Sequence, residues 1–148
     1  MLSRVFFVVL SLMLFAGLAL AEGLPSGSVK TVQGEVFAER QGKVLPLVKG
    51  VRIFAEDLLV TGPDGSLGIV LRDNTIFSMG PNSRLSLDEF VFAPVEGDFS
   101  LLVSMIKGTF VYISGIIAKL SPESIHLETP VGVVAVRGTR FAAKISGK

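Results

Sequence analysis

The sequence predicts an all-β domain, and three observations carry that prediction. Glycine recurs at short intervals from Gly34 to Gly138, with runs rich in Val, Ile, Leu and Phe between. This is the spacing of short strands joined by tight turns. Several of those runs alternate apolar and polar residues with a period of two, as half-buried strands do. No segment sustains an apolar period of three to four over the length of a helix.

The N-terminal segment stands apart. Arg4 supplies a short positive region, Val5–Leu20 an uncharged apolar run, and Ala19-Leu20-Ala21 a small-x-small site. Together they predict a signal peptide over 1–21, cleaved between Ala21 and Glu22. The expected location is the periplasm or the exterior. The alternative is an inner-membrane anchor made by the same segment left uncleaved. A spanning helix needs roughly 20 apolar residues, whereas this run has 16. Residues 22–28 read as a flexible spacer and 29–148 as a single domain. The chain has no cysteine, which excludes a lipidated N-terminus, disulfides, thiol catalysis and cysteine metal sites.

Within the domain, Leu67, Ile69 and Leu71 share one face of the run Ser66–Leu71. Leu85 and Leu87 point inward, with Arg84 and Ser86 outward. Phe141, Ala143 and Ile145 do the same against Arg140 and Lys144. The runs Phe99–Ile106, Phe110–Ile117 and Val131–Val136 are apolar on both faces and are expected to be central strands, buried on two sides. Gly62-Pro63-Asp64-Gly65 and Gly80-Pro81-Asn82-Ser83 are turns, and Arg72-Asp73-Asn74-Thr75 is a two-residue hairpin. Ser114–Pro122 has room for one short helical turn. Two architectures fit: a compact sandwich or barrel, or a solenoid-like β-roll. The interval of eight residues separating Gly34, Gly42 and Gly50 favours stacked units.

Composition narrows function. The formal charge is +1 with Arg4 included, and no basic stripe marks a nucleic-acid surface. There is no Trp and one Tyr, Tyr112, so an aromatic platform for sugars is not apparent, and the Phe residues are expected to be buried. Phosphate-binding glycine loops and a G-x-S-x-G elbow are absent. His126 is the single histidine; a lone His between Ile125 and Leu127 reads as surface-facing. No catalytic, cofactor-binding or metal-binding residue is assigned.

The order of the turns carries a resemblance. Val32-Gln33-Gly34-Glu35-Val36 is followed by Leu47-Val48-Lys49-Gly50, then Glu56-Asp57-Leu58-Leu59-Val60-Thr61-Gly62. Asp73-Asn74-Thr75, Gly80-Pro81-Asn82-Ser83-Arg84-Leu85 and Gly108-Thr109-Phe110 come next. The chain closes on Thr129-Pro130-Val131-Gly132-Val133-Val134-Ala135-Val136-Arg137-Gly138-Thr139-Arg140-Phe141. Over about residues 29 to 145 this resembles the FecR-type periplasmic domain family. Glu56 and Asn74 stand where that family usually has glycine. The resemblance implies an exported, non-catalytic β module that transmits or receives a contact with an as yet unidentified envelope protein. The alternative is an envelope protein that binds a small ligand or glycan.

Five positions are singled out. Arg137, in Arg137-Gly138-Thr139, either presents a bidentate fork to a partner carboxylate or pairs internally with a turn carboxylate such as Asp57 or Asp73. In the internal reading Gly138 lets backbone pass closely and Thr139 starts the last strand. Asp57 and Thr61 either touch a ligand or cap a turn and end a strand.

Overall fold

The computed structural model describes residues 23–134, 136 and 138–146. The predicted signal segment with its Ala21–Glu22 junction, and Arg137, lie outside the described residues. The first five strands are β1 (Gly27–Gln33), β2 (Val36–Arg40), β3 (Lys43–Pro46), β4 (Arg52–Ile53) and β5 (Leu58–Thr61). Four more follow: β6 (Ser66–Leu71), β7 (Ile76–Met79), β8 (Arg84–Ala93) and β9 (Asp98–Ile113). A helix of one turn, α1 (Ile116–Leu120), and a 3-10 turn at Pro122–Ser124 lead to β10 (Ile125–Thr129), β11 (Gly132–Val134) and β12 (Arg140–Ile145).

The strands form one curled sheet in the order β3-β2-β5-β8-β9-β7-β6-β1-β4. β10 and β12 attach to β9, and β11 attaches to β10. Strand pairs run antiparallel apart from β9–β10, which is parallel. β9 is the spine. Ile76–Met79 of β7 pairs with Ile113–Phe110, and Arg84–Ala93 of β8 continues from Lys107 to Asp98. β12 pairs with the half of β9 that β7 already pairs with, so it lies on the opposite edge. β10 takes the opposite edge of the half that β8 occupies.

Alternation along these strands makes one core. Leu59, Leu85, Leu87, Leu101, Val103 and Met105 from one half share a buried cluster with Leu67, Ile69, Leu71, Phe77, Phe110 and Tyr112 from the other. Both halves bury the same set of side chains, so the sheet folds onto itself. The glycines at 34, 42 and 50 sit in or beside the turns between β1, β2, β3 and β4 rather than at repeated corners of a coil. The sandwich-like alternative therefore describes the chain better than stacked solenoid units.

The predicted half-buried strands have the expected faces: Leu67, Ile69, Leu71, Leu85 and Leu87 are all buried, and β12 alternates between exposed and half-buried from Arg140 to Ile145. The helical turn allowed for in Ser114–Pro122 is α1. Asn74 sits at φ +68 in the Arg72–Thr75 hairpin, a conformation that Asn tolerates.

Three expectations need correction. Val131–Val136 is not a central buried strand. β11 has β10 as its strand neighbour, Val131 is 96% exposed and Val133 64% exposed. A two-faced apolar run reports low polarity; it does not report whether a second neighbour exists. Phe99–Ile106 and Phe110–Ile113 do lie in the centre of the sheet, but only their inward side chains are fully buried, and Ile116 and Ile117 already belong to α1. The predicted spacer is also shorter than expected. β1 begins at Gly27, Ser26 is buried, and the Ser26 N–H donates to the Ile53 carbonyl at 2.7 Å. Arg72 Nε donates to the Pro25 carbonyl at 2.6 Å, and its guanidinium lies 5.3 Å over the Phe90 ring.

Tyr112 sits in an aromatic row between Phe77 (5.3 Å) and Phe141 (5.2 Å). Its buried hydroxyl has no hydrogen-bond partner among the described residues. Burial, and then the negative charge of Asp73, push its pKa from 10.0 up to about 12. A phenol whose pKa is raised by folding favours the fold in its neutral form. The stability it contributes is complete below pH 10 and is lost as pH climbs through about 12. Tyr112→Phe should keep or raise stability at neutral pH by about 1 kcal/mol, since an orphan hydroxyl is removed. It should also flatten the alkaline loss. Thermal unfolding of both proteins from neutral pH to beyond pH 11 checks this, and an equally steep alkaline loss in the variant refutes it.

Candidate functional site

Asp57 and Thr61 bracket β5, and both side chains point away from solvent. Asp57 is fully buried. Its carboxylate accepts from Arg40 Nε at 2.8 Å on Oδ1 and from Arg40 Nη2 at 2.8 Å on Oδ2. The Phe54 N–H donates to Oδ2 at 2.9 Å, closing the turn before β5. Arg40 arrives from the end of β2, which pairs with β5. Its Nη2 also donates to the Arg52 carbonyl at 3.2 Å, and its guanidinium lies 4.6 Å over the Phe54 ring. A bidentate fork of this kind fixes direction as well as charge. The carboxylate thus ties β2, β4 and β5 together at one end of the sheet.

Glu56 belongs to the same turn. Its φ is +73, and its N–H donates to the Leu87 carbonyl at 2.6 Å. A left-handed non-glycine residue costs about 1–2 kcal/mol, and glycine there gives back about 0.5–1 kcal/mol through the entropy of the unfolded chain. Glu56→Gly should therefore fall between no change and a gain of about 1.5 kcal/mol in urea unfolding. A clear loss of stability would show that the Glu56 side chain contributes something beyond backbone conformation.

Thr61 organises the opposite end of β5. Its hydroxyl donates to the Gly80 carbonyl at 2.7 Å and accepts from the Ser83 N–H at 2.9 Å. Ser83 Oγ in turn accepts from the Thr109 N–H at 3.1 Å. Gly108, at φ +107, lies against Ser83 where β9 passes from one half of the sheet to the other. The turn Gly80–Ser83 follows that corner on the neighbouring β7–β8 path. Thr61 is therefore buried and held by backbone groups of the Gly80–Ser83 turn.

Asp73 is the other buried carboxylate of a turn. It accepts from the Thr75 N–H at 3.0 Å, the Thr75 hydroxyl at 2.8 Å and the Ile117 N–H at 3.2 Å. It therefore closes its own hairpin and also satisfies an otherwise free donor in the first turn of α1. Among the described residues, Asp57 is engaged by Arg40 and Phe54, and Asp73 by Thr75 and Ile117. Arg40 escaped the sequence reading because nothing local marks it. Its partner is 17 positions away, and only the β2–β5 register brings the two together.

Gly138 and Thr139 are exposed, and the Thr139 carbonyl accepts from the Ser114 N–H at 2.8 Å just before β12 begins. Of the five singled-out positions, the buried Asp57 and Thr61 hold turns, while Gly138 and Thr139 stand at the surface. His126 is exposed on β10, as its neighbours suggested. Asp57 and Asp73 are both buried, and each accepts three hydrogen bonds from described residues. Among the described residues, no three His, Cys, Asp or Glu side chains are grouped to hold a metal ion. No helix among them is long and apolar enough to cross a membrane.

A family model described as FecR protein matches residues 57–148, more than half of the chain. The chain belongs to the FecR family. The FecR match opens on Asp57 and takes in Thr61, the Gly80–Ser83 corner, β9 and the closing segment through Phe141. The opening part of the resemblance, Val32–Val36 and Leu47–Gly50, falls before the matched residues. No curated protein and no solved structure matches the chain. Within the FecR region Asp57 anchors the turn before β5, and Thr61 and Ser83 build the corner.

Proposed function

We propose that this FecR protein is an exported, non-catalytic module of an envelope signalling or regulatory system, working by contact with another protein in the periplasm. The observation that carries the reading is the FecR match over residues 57–148. The geometry supports it. The buried carboxylates and hydroxyls of the motif are committed to turns, while the closing segment presents Val131, Val133, Gly138 and Thr139 at the surface. A surface of backbone edge and small side chains suits a protein contact better than bond-making chemistry. Arg137, within the same segment, is the residue proposed to offer a fork to a partner carboxylate.

The test is capture of the tagged protein from crosslinked periplasm, followed by mass spectrometry. One enriched envelope protein, lost with Arg137→Ala and retained with Lys30→Ala, is the expected result. Absence of the tagged protein from the periplasm overturns the location. Capture of no protein, together with thermal stabilisation by a cell-wall fragment or small envelope metabolite, moves the function to ligand binding.

A further inference from the structure

One half of the sheet holds no carboxylate. β1, β4, β6, β7, β12 and the 108–113 half of β9 contain no Asp or Glu, yet they carry Lys30, Arg52, Arg140 and Lys144. The strands of the other half hold Glu39, Asp88, Glu89, Asp98 and Glu128. Charge is thus sorted by sheet half, although the whole chain has a formal charge of only +1.

Two of the four cations stand together on β12. Arg140, Ala142 and Lys144 face outward, opposite Ile113, Val111 and Thr109 of β9. Arg140 and Lys144 are exposed, and neither has a carboxylate partner among the described residues. Phe141, Ala143 and Ile145 face the core but stay only half-buried. β9 covers one edge of β12, and the other edge has no strand neighbour among the described residues. At six residues, β12 offers a longer edge than β3 with four, β11 with three or β4 with two.

Such an edge is selective. An apolar strand laid along it would desolvate two cations and leave them unpaired, and a basic strand would repel them. A strand with carboxylates at those two places pairs both. On its other face the same strand would bring apolar side chains against Phe141, Ala143 and Ile145 and complete their burial. The period of two joins both requirements in one pattern: acid, apolar, any residue, apolar, acid.

We propose that the open edge of β12 receives an extended acidic segment of a partner protein. The segment adds to the sheet as a further strand, with carboxylates opposite Arg140 and Lys144 and apolar side chains on the core side. This rests on the protein-contact reading above and names the class of segment the partner presents.

The chain has no native cysteine, so a thiol introduced on β12 reports contact there. The probe is the synthetic peptide Val-Glu-Val-Cys-Val-Glu-Val. Its cysteine falls opposite Ala142 when its glutamates fall opposite Arg140 and Lys144. With the full chain carrying Ala142→Cys, mild oxidation should give the mixed disulfide, because directly opposed Cβ atoms lie about 4.5–5.5 Å apart. Val95→Cys, at a position 95% exposed on the β8–β9 hairpin tip, should give little. In fluorescence anisotropy with the unmodified chain, the peptide with serine for its cysteine should bind, and its lysine counterpart should not. Arg140→Glu with Lys144→Glu should weaken the glutamate peptide about tenfold and create binding of the lysine peptide; that gain also shows that the double variant is folded. Equal trapping at positions 95 and 142, no binding of the glutamate peptide, or an affinity unmoved by the charge reversal overturns the proposal. So does binding to phosphatidylglycerol vesicles through Arg140 and Lys144 without any peptide trapping, which assigns these cations to a lipid surface. Capture of an envelope protein that ignores the charge reversal overturns the proposal and leaves the protein-contact reading standing. Peptide trapping with no envelope protein captured removes the envelope partner and leaves the preference of the edge for an acidic strand.

Discussion

Replacing Arg40 with methionine should cost about 3–5 kcal/mol of unfolding free energy, because it leaves the fully buried Asp57 carboxylate without its cation. The Phe54 N–H would remain as a donor, but one amide does not replace a bidentate guanidinium. Urea unfolding monitored by circular dichroism gives the loss as a lower midpoint at unchanged slope. The companion is the double variant Arg40→Met with Asp57→Leu, which removes both charges. It should recover a substantial part of the loss, since an apolar pair of similar volume leaves nothing buried and unpaired. The Arg40 side chain is 28% exposed, so the competing expectation is that of a surface pair worth about 0–1 kcal/mol. A loss of that size for Arg40→Met would show that solvent takes over the role of the cation.

Gly108→Ala should be comparably severe, for a different reason. A Cβ there would meet Ser83 Oγ at 2.0 Å and Ser83 Cα at 2.5 Å, and the backbone is at φ +107. Overpacking costs about 1–3 kcal/mol, and a strained non-glycine conformation about 1–3 kcal/mol more. The two together predict a loss of roughly 2–6 kcal/mol. Gly97→Ala separates the contributions. Gly97 has φ +67, but nothing lies within 4 Å of its Cβ position, so strain alone should appear, at about 1–2 kcal/mol. Removing the Ser83 hydroxyl should not rescue Gly108→Ala, because the Ser83 backbone stands in the way as well. Equal losses at 97 and 108 would mean that the corner yields and that close packing there contributes little.

The strands that alternate strictly were legible because one face meets the core and the other meets water. Leu85 and Leu87 against Arg84 and Ser86 needed no knowledge of the neighbours. The turns were legible for a similar local reason, as at Asn74, whose chemistry matches its backbone. Pairing partners were another matter. Nothing in Phe37-Ala38-Glu39-Arg40 says that its last residue will meet Asp57, because that meeting depends on the register between β2 and β5. The error at Val131–Val136 has the same origin. Valine-rich sequence signals a strand, whereas burial depends on whether something lies beside it. Arg137, the residue that drew most interest in the sequence, lies outside the described residues, while the residues around it at the surface remain the accessible part of the motif.

The position of β9 has a consequence for how the chain reaches its fold. β7 and β8 precede it, β10 and β12 follow it, and all four need it as a pairing partner. β1 meanwhile has to find β6 across nearly forty residues of chain. A chain made or threaded from its N-terminus therefore cannot complete its core until the segment ending at Ile113 is available. Such late, distant pairings imply a high contact order and refolding on the millisecond-to-second scale. Until β9 arrives, the earlier strands are a set of hairpins with open sides, and that interval is when they are most exposed to pairing with the wrong neighbour.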